Sequence, residues 1–247
     1  MFIEILHRDG RVLYACVAHG IRHAVERAAE ERVDLSGAHL DGVDLSGANL
    51  ERVKLPGASL LRASFRGTNL EDADLSGAEL TGANFDGANL EDSNLAHASL
   101  ADASGRGANL EDTRLEGANL SRAIFDGANF ETADLQGVLF VGGRAPRSNL
   151  EKCKLRGADL SGAELSAANL ERCDLRAARL VGTVLRGANL EKCDLSEADL
   201  SGADLREANL ERCLIEGACV DGANFEEANL DDMRGRPRVR GEQGPYR

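Results

Sequence analysis

The segment Asn169-Leu170-Glu171-Arg172-Cys173 reads NLERC. The same five letters, with Lys allowed for Arg, return as NLEKC 149–153, NLEKC 189–193 and NLERC 209–213. The interval is 20 residues each time. Self-similarity at a fixed short period marks an architecture in which one small unit stacks on its copies.

A shorter period lies inside this one. Every fifth residue from Leu35 to Leu230 is large and apolar, with only Gly105 and Ala145 as exceptions. Two positions earlier the residue is small or modest, as at Val33, Ala38, Val43 and Ala48, and the position between is usually Asp or Asn. Small and large residues two apart share one face of an extended segment. The next small residue comes three positions later, so the chain must turn between units. The intervening pairs read Ser-Gly, Asp-Gly, Arg-Gly or Glu-Asp, and Gly and Asp suit such corners. A helix fails, because a strict period of five spreads apolar residues around every side of 3.6 residues per turn. Four units make the 20-residue interval, so one coil has four faces. Asn recurs at 49, 69, 89 and onward to 229, one per coil. Cys153, Cys173, Cys193 and Cys213 then form an inward column on one face. A straight column with steps of ~4.8 Å does not converge on a tetrahedral metal, and parallel inward thiols would strain a disulfide. Small apolar fillers are the expectation for these thiols.

The composition agrees. With 27 Gly, no Trp and 4% aromatic residues, a core of bulky rings is excluded. No apolar run approaches the length of a membrane span. The start, MFIEILHRDGR, lacks the basic and long apolar parts of a secretion signal. Six Cys in 247 residues are no disulfide scaffold, so a reduced, cytoplasmic setting is expected.

The pattern Ala-(Asp/Asn)-Leu-X-X, here ADLSG 73–77, ANLED 88–92 and ADLSG 198–202, resembles the pentapeptide repeat family over about 200 residues. The resemblance implies an all-β fold, a right-handed quadrilateral parallel β-helix of about ten coils. Parallel crossovers favour the same hand. The expected organisation is an N-terminal cap at 1–32, the β-helix at 33–233 and a disordered Arg-rich tail at 234–247. In the cap, FIEILH 2–7 and VLYACVA 12–18 flank Asp9-Gly10, a hairpin signal. Ile21, Ala24, Val25, Ala28 and Ala29 then fall on one stripe of a helix running to about Arg32. Similar leaders occur on bacterial and phage members of the family. No second cap is legible at the other end, so a twofold partner is expected on the last coil, around Val220, Phe225 and Leu230.

Gly105 and Ala145 share a column with Phe65, Phe85, Phe125 and Phe225, and Phe125 lies between the two deficits. Its ring is expected to fill part of the space that they leave. The stretch 141–149, VGGRAPRSN, is expected to form a local bulge. Arg144, Pro146 and Arg147 are its candidate contact residues, because topoisomerase-directed relatives often use loops ejected from the coil.

The charge of −13 is uneven: residues 33–140 carry a net −11, residues 141–233 a net −6, and the tail is basic. One edge stacks a carboxylate in every coil, from Glu51 to Asp231. Glu71, Asp72, Glu91, Asp92, Glu111 and Asp112 double it in the first half. Lys152, Arg172, Lys192 and Arg212 balance it in the second. Such an elongated acidic field repels nucleic acid and suits basic clefts built for it. Quinolone-resistance members of the family imitate duplex DNA and bind DNA gyrase or topoisomerase IV. The resemblance thus implies a DNA mimic whose partner is a topoisomerase and whose contact is this acidic block. The alternative is a soluble scaffold rod, acids outward, for an unrelated protein. An enzyme has little support: there is no phosphate-binding glycine loop, nucleophile elbow or paired metal signature. No cofactor is expected. His19 and His23, four apart, read as helix surface.

Overall fold

The computed structural model describes residues 1–238. Strands β1 (Phe2–Leu6) and β2 (Val12–Val17) pair antiparallel, Phe2 opposite Val17 and Ile5 opposite Tyr14. Helix α1 spans Ile21–Glu30, and its Ala24, Val25, Ala28 and Ala29 are buried. β1 leads directly onto the first coil: the His39 N–H donates to the Leu6 carbonyl at 2.8 Å, and the Arg8 N–H to the Gly37 carbonyl at 3.1 Å.

Beyond the helix the backbone repeats one unit of five. Leu35, Ser36, Gly37 and Ala38 show its logic. The Ala38 N–H closes onto the Leu35 carbonyl at 3.0 Å, and Gly37 holds φ +69°. That is the arrangement of a type II turn, whose third residue must adopt positive φ. Side chains at the position before the large residue brace the same corner: Asp44 Oδ1 accepts the Ser46 N–H at 3.0 Å, and Asn69 Oδ1 the Glu71 N–H at 3.3 Å. This is why Asp and Asn recur there.

Successive coils pair in parallel at a constant offset of 20, from Asp34 with Lys54 to Leu214 with Arg234. Inside, Leu35, Leu40, Leu45 and Leu50 and their successors as far as Ile215 are buried, and from Ala48 to Ala218 the small residues two positions before them are buried too; Val33 and Val43, at the first coil, are half-buried. Phe65 and Phe85 stack face to face with centroids 4.8 Å apart. The four inward cysteines are buried. They do more than fill space. Each Sγ donates to a main-chain carbonyl of the preceding coil at 2.9 Å: Cys153 to Phe130, Cys173 to Leu150, Cys193 to Leu170 and Cys213 to Leu190. Thr113 occupies the same column and bonds the Leu90 carbonyl at 3.0 Å through its hydroxyl.

Two expectations are corrected. Residues 141–149 do not bulge. Arg144 pairs with Ile124 on one side and Glu164 on the other, and the Gly127 N–H reaches the Pro146 carbonyl at 3.0 Å. Pro146 sits at the first corner position, where fixed φ is suitable and the ladder takes no N–H, as at Pro56. Disorder does not begin at Arg234 either. Arg234 pairs with Leu214 and Arg238 with Cys219, and the Gly217 N–H donates to the Arg236 carbonyl at 2.9 Å. The open backbone of the last full coil recruits these residues although their side chains are charged. The remainder of the expected tail, 239–247, lies outside the described residues.

Candidate functional site

Each coil has four corners, and each corner places one residue at φ near +60°. That region disfavours any side chain except that of Gly, with Asn and Asp next. Three corner columns follow the rule and are rich in Gly, for example Gly57, Gly77 and Gly157 in one and Gly67, Gly87 and Gly107 in another. The fourth has no Gly. From Arg32 through Arg52, Asp72, Asp92, Asp112 and Thr132 it runs on to Lys152, Arg172, Lys192, Arg212 and Asp232, with φ between 54° and 62°. Strained side chains kept in register over the whole rod single out this edge.

The preceding corner position is the glutamate column. Glu71, Glu91 and Glu111 are half-buried, whereas Asp72, Asp92 and Asp112 are exposed. The glutamates lean on a ladder of asparagines. Asn109 Nδ2 donates to Asn89 Oδ1 and to Glu91 Oε2, both at 3.1 Å, and Asn129 Nδ2 does the same toward Asn109 and Glu111. The ladder runs unbroken from Asn49 to Asn229, every amide nitrogen directed toward the N-terminal neighbour.

The six carboxylates expected to act together are brought to one edge but are not equivalent. Asp72 is ion-paired with Arg52 at 3.0 Å. Asp112 accepts the Thr132 hydroxyl at 2.6 Å. Among the described residues no base lies within ion-pair distance of Glu71, Glu91, Asp92, Glu111 or Asp112. In the lower half each base bridges two coils: Lys152 to Glu131 and Glu151 at 3.1 and 3.0 Å, and Arg172 to Glu151 and Glu171 at 3.4 and 3.3 Å. The Lys152 ammonium beside Glu151 holds that carboxyl below its ordinary range, and Lys192 does the same for Glu191. The unneutralised charge therefore concentrates between Glu71 and Asp112. The sequence shows this block but not the Arg52–Asp72 pair, which joins residues 20 apart.

The other expected residues are placed as follows. Arg144, Pro146 and Arg147 line an open surface groove of about 590 Å³ with Asp126, Gly127, Glu164, Ser166 and Ala167. Arg144 pairs with Asp126 at 3.5 Å. Val220 and Phe225 are half-buried, and Leu230 is 40% exposed. His19 and His23 have ring centroids 5.8 Å apart. No cluster of metal-ligating side chains occurs among the described residues. No helix among them is long and apolar enough to cross a membrane. The thiols of Cys173 and Cys193 are pushed well up by burial, so both are protonated fillers and donors rather than nucleophiles.

The family model for pentapeptide repeats matches eight overlapping segments, together covering residues 34–142 and 147–232. Among solved structures, HetL, a pentapeptide repeat protein involved in heterocyst differentiation regulation from the cyanobacterium Nostoc sp. strain PCC 7120, is 34% identical. That match covers 85% of this chain and 92% of HetL, with a TM-score of 0.33. QnrB1, a plasmid-mediated fluoroquinolone resistance protein, is 19% identical, covering 83% of this chain and 95% of its own, with a TM-score of 0.49. A pentapeptide repeat protein from the Arabidopsis thaliana thylakoid lumen is 23% identical over 55% of this chain and 70% of its own, with a TM-score of 0.19. No curated protein matches this chain. The repeat matches, the five-residue unit and the 20-residue register converge: the chain belongs to the pentapeptide repeat family.

Proposed function

We propose that this chain is a non-catalytic interaction rod of the cytoplasm. In this reading a right-handed four-sided β-helix of ten coils, residues 33–233, is closed at its start by the hairpin and helix of residues 1–32. Its acidic edge imitates duplex DNA and occupies the basic cleft of a type II topoisomerase, DNA gyrase or topoisomerase IV, modulating or protecting it. The observation that carries the reading is the block Glu71, Glu91, Asp92, Glu111 and Asp112. It is unneutralised, and φ of 59° at Asp92 and 54° at Asp112 accompanies side chains where Gly would relieve the backbone. Carboxylates stepping along an axis at ~4.8 Å meet a cleft built for phosphates. The repeat region itself repels nucleic acid.

The test is a gyrase supercoiling assay, with and without a fluoroquinolone. The protein is expected to change supercoiling or drug inhibition at micromolar concentration. The variant Glu91→Gln/Asp92→Asn/Glu111→Gln/Asp112→Asn is expected to lose the effect while staying folded. No effect up to tens of micromolar rejects the topoisomerase reading. The second reading, a scaffold for an unrelated protein, is favoured by the neutralised lower half, because only part of the rod's length then resembles a polyanion.

The open end of the last coil supports a homodimer formed end to end through Val220, Phe225 and Leu230. Residues 234–238 cover the side of that coil next to Ile215 and Ala218 and leave these three partly exposed. Light scattering should give twice the chain mass at micromolar concentration, and Leu230→Lys should return it to one.

A further inference from the structure

The edge without glycine has a second regularity. From the level between Thr132 and Lys152, its corner residues going up and going down carry opposite charge at equal distance. Asp112 answers Arg172, Asp92 answers Lys192, Asp72 answers Arg212, and Arg52 answers Asp232. All eight are exposed. Two identical rods share one corner spacing, so a single antiparallel register opposes all four pairs at once, each pair twice. Thr132 then faces Lys152. Sliding one copy by one coil opposes Arg52 to Arg212. Sliding it the other way opposes Asp72 to Asp232 and Lys152 to its own copy. The first slip keeps four opposite pairs, Arg32 with Asp232, Asp72 with Lys192, Asp92 with Arg172 and Asp112 with Lys152, against its one like pair, and the second keeps only Asp92 with Arg212 and Asp112 with Lys192. Of the three, only the unslipped register has matched charges with no like pair, and that absence favours it.

We propose that this edge docks a second copy of the chain, antiparallel, about a twofold axis passing between the levels of Thr132 and Lys152. The symmetry is that of an isologous contact, in which one patch serves both partners. Corner side chains at positive φ stand outermost, and the glutamates beside them are half-buried, so the corner residues meet first. The arrangement covers Asp72, Asp92 and Asp112, so a second copy and any other partner of the acidic block exclude each other. The net −13 opposes approach, and exposed pairs are individually weak, so the complex forms at high protein concentration and dissolves in salt. The inference is independent of the topoisomerase reading. It also differs in shape from the end-to-end pair, since rods docked by this edge are thicker but hardly longer.

The test uses the full chain with Cys219, the half-buried thiol, changed to Ser. An Asp92→Cys copy and a Lys192→Cys copy are mixed at low salt and treated with a short bis-maleimide. The mixture should cross-link. Neither copy alone should, because like positions lie five coils, or ~24 Å, apart along the axis in this register. Adding Arg172→Glu and Arg212→Glu to the Lys192→Cys copy should lower the yield about tenfold. Adding Asp72→Arg and Asp112→Arg to the other copy should then restore it. Circular dichroism checks that each variant is folded. Equal yields from mixed and unmixed copies, or a yield indifferent to the charge reversals, overturns the proposal. A longer particle in small-angle scattering without the 92–192 cross-link also overturns it and leaves the end-to-end pair standing.

Discussion

Gly105 is the clearest case of one residue answering another. A Cβ built there would lie 2.2 Å from the Phe125 ring, so the ring occupies the place that a fifth-position side chain would take. Gly143 and Phe140 repeat the device, at 2.5 Å. Ala145 is filled less well: it lines a cavity of about 20 Å³ with Phe130, Phe140 and Leu150. Gly105→Ala is therefore expected to cost about 1–3 kcal/mol. In a Phe125→Leu background the same change should cost much less, and a double-mutant cycle in urea measures the coupling. The deficits at 105 and 145 are plain in the sequence, and so is the large residue between them; which way the ring turns depends on the backbone. The cysteines were legible only as small and inward. Their S–H donation was not, because spacing does not say which carbonyl lies opposite. Cys173→Thr should keep the bond to Leu150, as Thr113 does to Leu90, whereas Cys173→Ala should cost about 1 kcal/mol more and still fold. An aromatic disulfide reagent at pH 8 should titrate Cys219 first, and the inward four only on unfolding.

The five-residue unit owes its form to the corner. Position before position, the residue types read from the sequence have their physical counterparts: Asp and Asn brace the turn, Leu fills the axis, and Gly takes positive φ. Gly107 isolates the last of these. It has φ +61°, and nothing lies within 4 Å of the Cβ that a substitution would add. Gly107→Val should thus lower stability by about 1–2 kcal/mol through backbone conformation alone, and Gly107→Asn by less. Thermal unfolding of the two variants decides it; equal losses would mean that the penalty comes from contacts instead. The same reasoning explains why residues 141–149 keep the regular coil. VGGRAPRSN departs from the usual letters, yet each departure falls where the backbone tolerates it: Pro146 at a position without a ladder N–H, and Gly143 against the Phe140 ring. Letter frequency alone does not separate a tolerated exception from a break.

Along the rod, inward and outward positions divide the energetics. Leu115→Asp places a charge on the buried axis and should prevent folding, whereas Glu111→Lys should leave the melting temperature within a few degrees. If both unfold the protein alike, the assignment of sides is wrong. Acid should act late. The Arg176 guanidinium beside Asp174, and Arg206 beside Asp204, hold those carboxyls below the ordinary range. A lowered folded value gives stability that is present above the unfolded value, near 3.9, and is lost as pH falls through the folded one. Melting temperature should therefore stay level from neutral pH to about 5 and fall below about 4. The five-residue unit, the 20-residue register and the acidic half are legible in the sequence because each depends on period and charge. Arg234 and Arg238 are not, because a basic, Pro-containing stretch looks unstructured until an open coil offers it partners.

The backbone bonds between coils, which pair one residue in five with the residue 20 positions on, run along the long axis. Pulled by its ends, such a molecule has no single mechanical clamp that must shear all at once. It should peel from an end, one revolution after another. Optical tweezers should record a regular sawtooth whose steps each release about 70 Å of contour, the extended length of one coil.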